Sequence, residues 1–374
     1  MRAVMVTKLG GPDVLAVEER PDPEPGPGQI VVDVRAAGVN FMDVYQREGV
    51  GPYKKELPFG IGDEGAGVVT AAGEGVDEFK PGDHVAWRGV SGSYAERVVV
   101  PVQNAVPVPE HIDSQVAAAV LLQGMTAHYL CNSTYPIKDG NVAVVHAAAG
   151  GVGLLLVQMI KRRGGIVVAT TSTKEKADLV RQAGADHVVT YDEFVDAVDR
   201  VTGERGADVV YDSVGKATFD NSLKALRPRG MMVLYGGSSG QVPPFDIQRL
   251  NTEGSLYLTR PTLGSYAADR GEVLWRVGDL FEWIAQGTLD VRIGGTYPLS
   301  DAGRAQADLE SRRTTGKLLL IPLSRPSVGR HAEREREVAA PRATRFMYVN
   351  FDQISENFSP LFLLVPAARQ RLGL

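Results

Sequence analysis

The sequence of 374 residues contains one cysteine, Cys131, which excludes an internal disulfide and any zinc site built on several thiolates. It also lacks an excess of basic residues. The formal net charge is −5, so neither nucleic acid nor an anionic membrane surface is an expected partner. The amino terminus shows no cationic start followed by an apolar core, so we expect no export signal. A cytoplasmic protein is the simplest interpretation of these absences.

What is present is an ordinary globular composition, with 44% hydrophobic and 23% charged residues. At ~150 residues per domain, the length suits about two domains. The first third of the chain is rich in Gly, Pro and Val. It contains short alternating runs, such as residues 30–35 and 67–71, separated by turn signals. We therefore predict a β-rich first domain.

From Asn141 the pattern changes to strands alternating with helices, which is typical of crossover units in a parallel sheet. An amphipathic helix is expected over residues 274–286 and a closing strand over 316–321. The predicted fold class is therefore α/β, with a parallel sheet in the second domain. The strands expected in that sheet are residues 141–148, 166–172, 187–191, 208–213, 231–236 and 255–259.

The first of these strands runs into a glycine turn, His146-Ala-Ala-Ala-Gly-Gly-Val-Gly153. Gly150 would let the backbone approach a pyrophosphate, and Gly153 would let the next helix pack closely on the strand. The first turn of that helix, with Gly151 and Val152, would point its free N–H groups at the anion. Because Ala148 replaces the usual first glycine, the motif by itself does not exclude a chance loop.

The residues after the second strand bear on the choice of cofactor. Enzymes that select NAD usually carry an acidic residue there, whereas this chain has Thr170, Thr171, Ser172 and Thr173, followed by Lys174 and Lys176. Hydroxyls beside ammonium groups suit a 2′-phosphate, so the sequence favours NADPH. The alternative is a helix cap at Ser172 or Thr173 beside solvated lysines.

Six motifs in unbroken order resemble the quinone oxidoreductases of the medium-chain dehydrogenase/reductase superfamily, the zeta-crystallin group. The resemblance runs from Met1 to about Pro322. It implies a GroES-like β-barrel catalytic domain, residues 1–122 and 262–322, around a Rossmann domain that binds NADPH, residues 123–261. The motifs are Gly38-Val-Asn-Phe-Met-Asp-Val-Tyr45, Gly62-Asp-Glu-Gly-Ala-Gly67, His146 to Gly153, Tyr211-Asp-Ser-Val-Gly215, Gly236-Gly-Ser-Ser-Gly240 and Leu258-Thr-Arg-Pro-Thr262.

The resemblance also implies roles for individual residues. Asn40 and Tyr45 match positions that face the nicotinamide cleft, with Asp43 between them on a short helix. Lys176 matches a lysine that pairs with the 2′-phosphate, and Tyr191 matches a residue at the adenosine end. Further matches to cofactor-lining positions are Gln123, Gly124, Thr126, Ser213, Tyr235, Ser238 and Arg260. Turn chemistry is the alternative for Asn40, Ser213 and Ser238, because Asn and Ser often bond nearby backbone groups.

Zinc is not expected. Zinc-dependent members of the superfamily need about four Cys, His or acidic ligands, and here Asp63 stands where those enzymes carry a histidine ligand. We expect Glu64 to be structural. Without a Lewis acid, the chemistry must suit an acceptor that takes up reducing equivalents readily, such as a quinone or an activated double bond.

Tyr45 and Tyr53, together with Asn40, are the expected catalytic residues. The two phenols could stack on the acceptor or donate a hydrogen bond to it, since an unperturbed phenol is protonated at neutral pH. A half-buried packing role is the alternative for each tyrosine.

Three functions stay open at this stage. The first is NADPH-dependent quinone reduction, which the resemblance implies can proceed in one-electron steps. The second is reduction of α,β-unsaturated aldehydes or ketones. The third is an RNA-binding or structural, crystallin-like role, against which the acidic composition argues.

The resemblance further implies a homodimer, and we expect the edge strand within residues 254–260 to pair across a two-fold axis. Residues 323–374 lie beyond the family pattern and contain an Arg- and Glu-rich stretch, which we expect to be flexible. The apolar run at 360–366 is far shorter than the ~20 residues that span a bilayer.

Overall fold

The computed structural model describes residues 1–322, so the prediction made for residues 323–374 lies outside the described part of the chain. Before the glycine turn the chain is mostly β-structure, as the sequence predicts. In chain order its elements are β1 (Arg2–Val6), β2 (Leu15–Glu19), β3 (Gln29–Val39), α1 (Phe41–Glu48), β4 (Phe59–Gly60), β5 (Glu64–Ala72), β6 (His84–Arg88), β7 (Arg97–Pro101), β8 (Ala105–Pro107) and α2 (Ser114–Tyr129).

The remainder alternates strands with helices and then closes with a strand that returns to the first part of the chain. Its elements are β9 (Val142–Val145), α3 (Gly151–Arg162), β10 (Ile166–Thr170), α4 (Lys174–Gln182), β11 (His187–Val189), α5 (Phe194–Thr202), β12 (Ala207–Asp212), α6 (Phe219–Lys224), β13 (Leu226–Leu234), α7 (Gln248–Thr252), β14 (Tyr257–Thr259), α8 (Leu263–Tyr266), α9 (Arg270–Ala285), β15 (Ile293–Pro298), α10 (Ala302–Glu310) and β16 (Lys317–Ile321).

The β-rich part holds two sheets. One has the order β2-β1-β4, and the larger one has the order β15-β16-β3-β5-β6-β8 with β7 also paired to β3. The inward residues of these strands, such as Ile30 and Trp87, form a core of Val, Ile and aromatic side chains, which Tyr94 joins from the loop between β6 and β7. Because β16 lies antiparallel to β3, the end of the described chain completes the sheet begun by its first third.

The second part holds a six-stranded parallel sheet in the order β11-β10-β9-β12-β13-β14. Its strand order reverses beside β9, where β9 lies between β10 and β12. In doubly wound sheets this switch point is where ligands bind, outside the carboxyl ends of the strands. The predicted glycine turn leaves β9 at this point, so the fold places it where a dinucleotide site is expected.

Helix α2 connects the two sheet systems. Eleven of its sixteen residues are buried, because it packs against β3 and β5 on one side and against α3 and α9 on another. The predicted boundary between residues 122 and 123 falls inside this helix, and the division into two domains stays a prediction. Among residues 1–322, no helix has the length and apolar character required to cross a bilayer.

Element ends differ from the predictions by a few residues, for local reasons. Helix α9 begins at Arg270 rather than 274 because the Asp269 side chain accepts a hydrogen bond from Glu272 N and caps the helix. Strand β14 begins at Tyr257 rather than 255 because Gly254 and Ser255 both have positive φ and form a turn.

Candidate functional site

The glycine turn joins β9 to α3 with the geometry that the sequence predicts. All four residues of β9 are buried, and Gly150 is the N-cap of α3. A Cβ on Gly153 would stand 2.7 Å from the backbone of Ala147 and Ala148, so only glycine permits this packing of helix on strand. Helix geometry leaves the N–H groups in the first turn of α3 without intrahelical acceptors. These groups are therefore available to donate hydrogen bonds to an anion.

Gln123 lies directly over this turn. A Cβ on Gly151 would overlap the Gln123 side-chain amide, so the bare backbone at Gly151 makes room for it. Thr126, one helical turn further along α2, is buried and donates its hydroxyl to the Leu122 carbonyl at 2.6 Å. The structure therefore places Gln123 beside Gly151 in the glycine turn, whereas the Thr126 hydroxyl bonds within its own helix.

The segment after β10 contains both a helix cap and a lysine side chain, the two alternatives that the sequence left open. Thr173, not Ser172, is the N-cap of α4, and its hydroxyl accepts a hydrogen bond from Lys176 N at 3.3 Å. Thr171 is buried and Ser172 is exposed. The Lys176 side chain is partly buried, and burial lowers the pKa of its ammonium below the usual value. The helix cap at Thr173 and the Lys176 cation are thus both present in this segment.

Sequence reasoning missed Arg312, whose backbone contacts this ammonium. The Lys176 ammonium donates to the Arg312 carbonyl, and the Arg312 guanidinium donates to the Ser238 carbonyl. Arg312 has a positive φ of 56° in the short segment between α10 and β16. Burial raises the pKa of both Tyr45 and Tyr191, and the charge of Arg312 opposes both rises. Both contacts of Arg312 join segments far apart in the chain, so no local motif marks this residue.

The turns after β12 and β13 place three predicted residues together. Ser238 N donates to the Ser213 carbonyl at 3.1 Å, and the Ser213 side chain bonds Tyr235. Burial raises the pKa of Tyr235 well above its usual range. The backbone bond between Ser213 and Ser238 is the turn chemistry that one interpretation expects, and their contact with a cofactor stays a prediction.

Tyr191 lies over His146 at the base of the glycine turn, with ring centroids 5.8 Å apart and planes 22° apart. His146 is fully buried, and its ring nitrogens lie 2.9 Å from the Thr170 hydroxyl and 3.0 Å from the Ser222 hydroxyl. Burial lowers the pKa of His146, so the ring is neutral at pH 7. Tyr191 is thereby held at the carboxyl end of β10, where the adenosine end is predicted.

The two predicted phenols form a pair. The rings of Tyr45 and Tyr53 are 5.3 Å apart, and Phe41 lies 6.3 Å from Tyr45 on the other side. Burial raises the pKa of Tyr45, Tyr53 raises it further, and the charges of Arg260 and Arg312 lower it. Arg260 is exposed, and its charge also lowers the pKa of Tyr129. Arg260 therefore lies near both Tyr45 and Tyr129.

Tyr129 and Tyr266 form a second aromatic pair that sequence reasoning missed. Their rings stack at 4.5 Å with an interplanar angle of 9°. Burial raises the pKa of Tyr129 above its usual range, and Tyr235 raises it further. Tyr129 is therefore placed near Tyr235 and Arg260. Tyr129 ends α2 and Tyr266 ends α8, and no local motif marks a contact between segments so far apart in the chain.

Asn40 lies at the start of α1 and belongs to a buried polar cluster. Its side-chain Nδ2 donates to Glu64 at 2.8 Å, and its Oδ1 accepts from Lys317 at 2.7 Å. Lys317 and Glu64 form a direct ion pair, and both are almost fully buried. Glu64 is thus held in a buried ion pair, and its cationic partner was not identified from the sequence.

Asp43 occupies a second buried position on α1. One oxygen, Oδ2, accepts hydrogen bonds from Tyr94 and from Asn40 N, both at 2.8 Å, while the buried Oδ1 has no hydrogen-bond partner. Burial raises the pKa of Asp43 to about 7, although the Tyr94 bond opposes this rise. A buried carboxyl with one oxygen hydrogen-bonded and the other without a partner suits the protonated form at neutral pH.

The described residues offer no metal-ligand set: within residues 1–322, no three His, Cys, Asp or Glu side chains are grouped so that they could hold a metal ion. Cys131 is buried in a π-helical turn, Leu130–Thr134, and burial raises the pKa of its thiol to about 12. That thiol is therefore neutral and not available as a thiolate ligand at pH 7.

Comparison with protein-family models places two known domains on this chain. The model described as "Alcohol dehydrogenase GroES-like domain" matches residues 26–110, and the model described as "Zinc-binding dehydrogenase" matches residues 151–273. The first covers the β-rich part and the second covers most of the parallel sheet. The predicted fold class, a GroES-like β-barrel with a Rossmann domain, is confirmed.

Similar proteins match this chain over almost their whole length. A quinone oxidoreductase of Pseudomonas aeruginosa is 42% identical over 325 residues, 86% of this chain and 99% of that protein. A 2-haloacrylate reductase of a Burkholderia species is 38% identical over 329 residues, 86% of this chain and 98% of that protein. The structure of Escherichia coli quinone oxidoreductase complexed with NADPH matches with a TM-score of 0.84 and 40% identity, covering 86% of this chain and all of that one.

Proposed function

This chain belongs to the quinone oxidoreductase family of the medium-chain dehydrogenase/reductase superfamily, and on that premise we propose that it reduces quinones with NADPH. The observation that carries the proposal is the glycine turn at the sheet's switch point, with Lys176 at the end of the neighbouring strand. We assign cofactor binding to residues 123–261 and the acceptor side to residues 1–122 with 262–322.

The residues present fit NADPH. The first turn of α3 offers N–H donors to a pyrophosphate, and the glycine at position 150 adds no side chain in front of them. The residues from Thr170 to Thr173 contain no carboxylate that would repel a 2′-phosphate, and Lys176 lies at the same strand end with Arg312 opposite. The Lys176 ammonium there favours the dianion of a phosphomonoester.

On the acceptor side, the Tyr45 and Tyr53 rings, tilted by 39° to each other, each offer an aromatic face to a quinone. Bound NADPH would supply the reducing equivalents, and the chain's part is to hold the acceptor against the nicotinamide and exclude competing reactions. The raised pKa of Tyr45 keeps its phenol protonated at neutral pH, so it can donate a hydrogen bond to a quinone oxygen.

The experiment that tests this function is NADPH oxidation by the purified protein, with 1,4-benzoquinone and 9,10-phenanthrenequinone as acceptors. We expect turnover with both quinones and a clear preference for NADPH over NADH. The proposal fails if neither quinone accelerates NADPH oxidation above the uncatalysed rate.

A second candidate is reduction of activated carbon–carbon double bonds, because one relative is named a 2-haloacrylate reductase. It would use the same cofactor site, and only the acceptor would differ. An alkenal and 2-chloroacrylate, assayed beside the quinones, separate the two candidates. A higher kcat/KM for either alkene than for both quinones would make alkene reduction the function.

We further propose that the quinone is reduced in one-electron steps, on the basis of the family resemblance alone. It predicts that quinone turnover in air reduces cytochrome c and that superoxide dismutase suppresses this reduction. Stoichiometric two-electron transfer, with no dismutase-sensitive signal, would contradict it.

We propose a metal-free site. Lys317 already neutralises Glu64 beside the predicted nicotinamide end, and the only thiol of the chain is buried in the turn that follows α2. Elemental analysis of the protein after dialysis against a chelator tests this, and we expect full activity without bound zinc. Activity that disappears with the metal and returns with zinc would contradict the proposal.

We also propose a homodimer that pairs β14 with its twin. This strand is last in its sheet order, and Tyr257 on it is 58% exposed. Ile247, 68% exposed, lies just before α7 in the same region of the sequence. An edge strand with an exposed aromatic residue is typical of strand pairing between copies. Sedimentation of wild type and Tyr257→Pro tests it: wild type should be dimeric and the variant should shift to monomer.

A further inference from the structure

The buried ion pair between Glu64 and Lys317 links four chain segments around the predicted nicotinamide end of the cleft. Lys317 follows Gly316, whose N–H donates to the Ala149 carbonyl at 3.1 Å, just before the glycine turn. Glu64 accepts a hydrogen bond from Leu122 N at 2.7 Å, and Leu122 precedes Gln123. The pair thus connects β5, α2, β16 and the glycine turn.

The same pair fixes the Asn40 side chain from both ends. Glu64 accepts from the amide nitrogen of Asn40, and Lys317 donates to its oxygen. With a carboxylate on one end and an ammonium on the other, the amide has only one favourable orientation. A ligand that contacts Asn40 would therefore find the amide nitrogen (donor) and the amide oxygen (acceptor) in fixed positions.

The space for the pair is provided by a glycine. A Cβ on Gly38 would overlap the Glu64 carboxylate and stand 2.7 Å from Lys317 Cε. Relative exposure is 0% for Glu64 and 1% for Lys317. A buried ion pair is often no more stabilising than apolar residues of the same volume, so stability alone gives no reason for charges at this place.

We propose that Glu64 and Lys317 are positioning residues, which hold the Asn40 amide and the Gln123 segment where the nicotinamide ring binds. This inference rests on the proposed use of NADPH. It assigns the pair no contact with substrate: the pair acts through Asn40 and through the Leu122 backbone. The adenosine end is held by other contacts, those of Lys176 with Arg312 and of Tyr191 with His146, and should be indifferent to the pair.

The proposal can be tested by measuring how the full chain binds two fragments of the cofactor. Reduced nicotinamide mononucleotide reports on the nicotinamide end of the site, and 2′,5′-ADP reports on the adenosine end. In the double variant Glu64→Gln with Lys317→Met, both charges are removed at similar volume. We expect the Kd of the nicotinamide fragment to rise about tenfold, while the Kd of 2′,5′-ADP changes less than about twofold. Equal changes for both fragments, or none for either, would overturn the proposal.

Two further variants serve as a control and as an alternative test. Arg2→Met with Glu96→Gln removes a salt bridge of the β-rich part that lies outside the Asn40 cluster, and both fragments should bind it as they bind wild type. If the first double variant does not fold, Gly38→Ala displaces the Glu64 carboxylate and keeps both charges. It should give the same selective loss, and unchanged binding of both fragments would overturn the proposal.

The outcome is separable from that of the proposed function. If wild type binds neither fragment, NADPH use itself is wrong. If wild type binds both and the variants show no selective loss, only the positioning role is wrong. A matching split in the full reaction, with kcat for quinone falling about tenfold at saturating NADPH, would support the role further.

Discussion

The two walls of the proposed cofactor cleft are built in different ways. The wall formed by residues 142–176 comes from one continuous stretch, in which a strand, a glycine turn and a capped helix place backbone N–H groups and one lysine. The opposite wall joins Asn40, Glu64 and Lys317 through buried side-chain bonds, and Glu64 and Lys317 are 253 residues apart in sequence.

The two kinds of wall should respond differently to substitution. A backbone site depends on the absence of side chains, so one added group should destroy it. A buried charge cluster depends on its partners, so single charge removals should harm folding while balanced removals harm only positioning.

Gly150→Val should abolish NADPH binding, because the new side chain would occupy the approach to the pyrophosphate. We expect a loss of more than about 100-fold in affinity, measured by titration calorimetry. Gly278→Val is the matched control: nothing lies within 4 Å of a Cβ on Gly278 in α9, so NADPH should bind as in wild type. Normal NADPH binding by Gly150→Val would show that the pocket is misplaced.

Asp43→Asn should stabilise the protein at neutral and higher pH. Folding raises the pKa of Asp43 to about 7, so between about pH 4 and pH 7 the folded state holds a proton that the unfolded state releases. Wild-type stability should therefore fall with rising pH in this window, by at most ~1.4 kcal/mol for each pH unit.

The amide oxygen that this substitution introduces could accept the bonds that Tyr94 and Asn40 N now donate to Oδ2 of Asp43. Urea unfolding at pH 5 and pH 8 measures the effect. The variant should gain over wild type mainly at pH 8. An equal difference at both pH values would contradict the titration of Asp43.

Lys176→Ala should raise the KM for NADPH about tenfold, which is the scale of one lost charge-assisted hydrogen bond, and should change the KM for NADH far less. Lys174→Ala is the control, because Lys174 lies two residues earlier and is exposed. Steady-state kinetics with both cofactors give the answer. An equal effect on NADPH and NADH would remove the reason for placing the 2′-phosphate at Lys176.

Tyr45→Phe should have the smallest effect. It keeps the ring that faces Tyr53 and removes the phenol, so kcat/KM for 1,4-benzoquinone should fall about fivefold, the scale of one neutral hydrogen bond. Tyr53→Phe serves as the comparison for the other ring. If Tyr45→Phe keeps full activity while Tyr45→Ala loses it, Tyr45 contributes a stacking surface and no hydrogen bond.

Much of the fold could be predicted because its determinants are local. The alternation of strand and helix after Asn141 predicted the six parallel strands, and Gly153 predicted the close packing of α3 on β9. The ends of β14 and α9 were missed by a few residues, because a turn at Ser255 and a cap at Asp269 decide them.

The candidate site was predictable in part. The residues around the glycine turn and Lys176 follow from their own neighbours in sequence. Arg312, Lys317 and the Tyr129–Tyr266 pair do not, because each is defined by a contact between segments that are far apart in the chain. No spacing rule encodes such contacts, so only the folded chain reveals them.

The most direct test of the central claim is a calorimetric titration of the purified chain with NADPH, followed by addition of 1,4-benzoquinone to the complex. We expect saturable binding of one NADPH per chain, competition by 2′,5′-ADP, and oxidation of the bound NADPH when the quinone is added. Absence of binding at millimolar NADPH, or binding that 2′,5′-ADP does not compete, would contradict it.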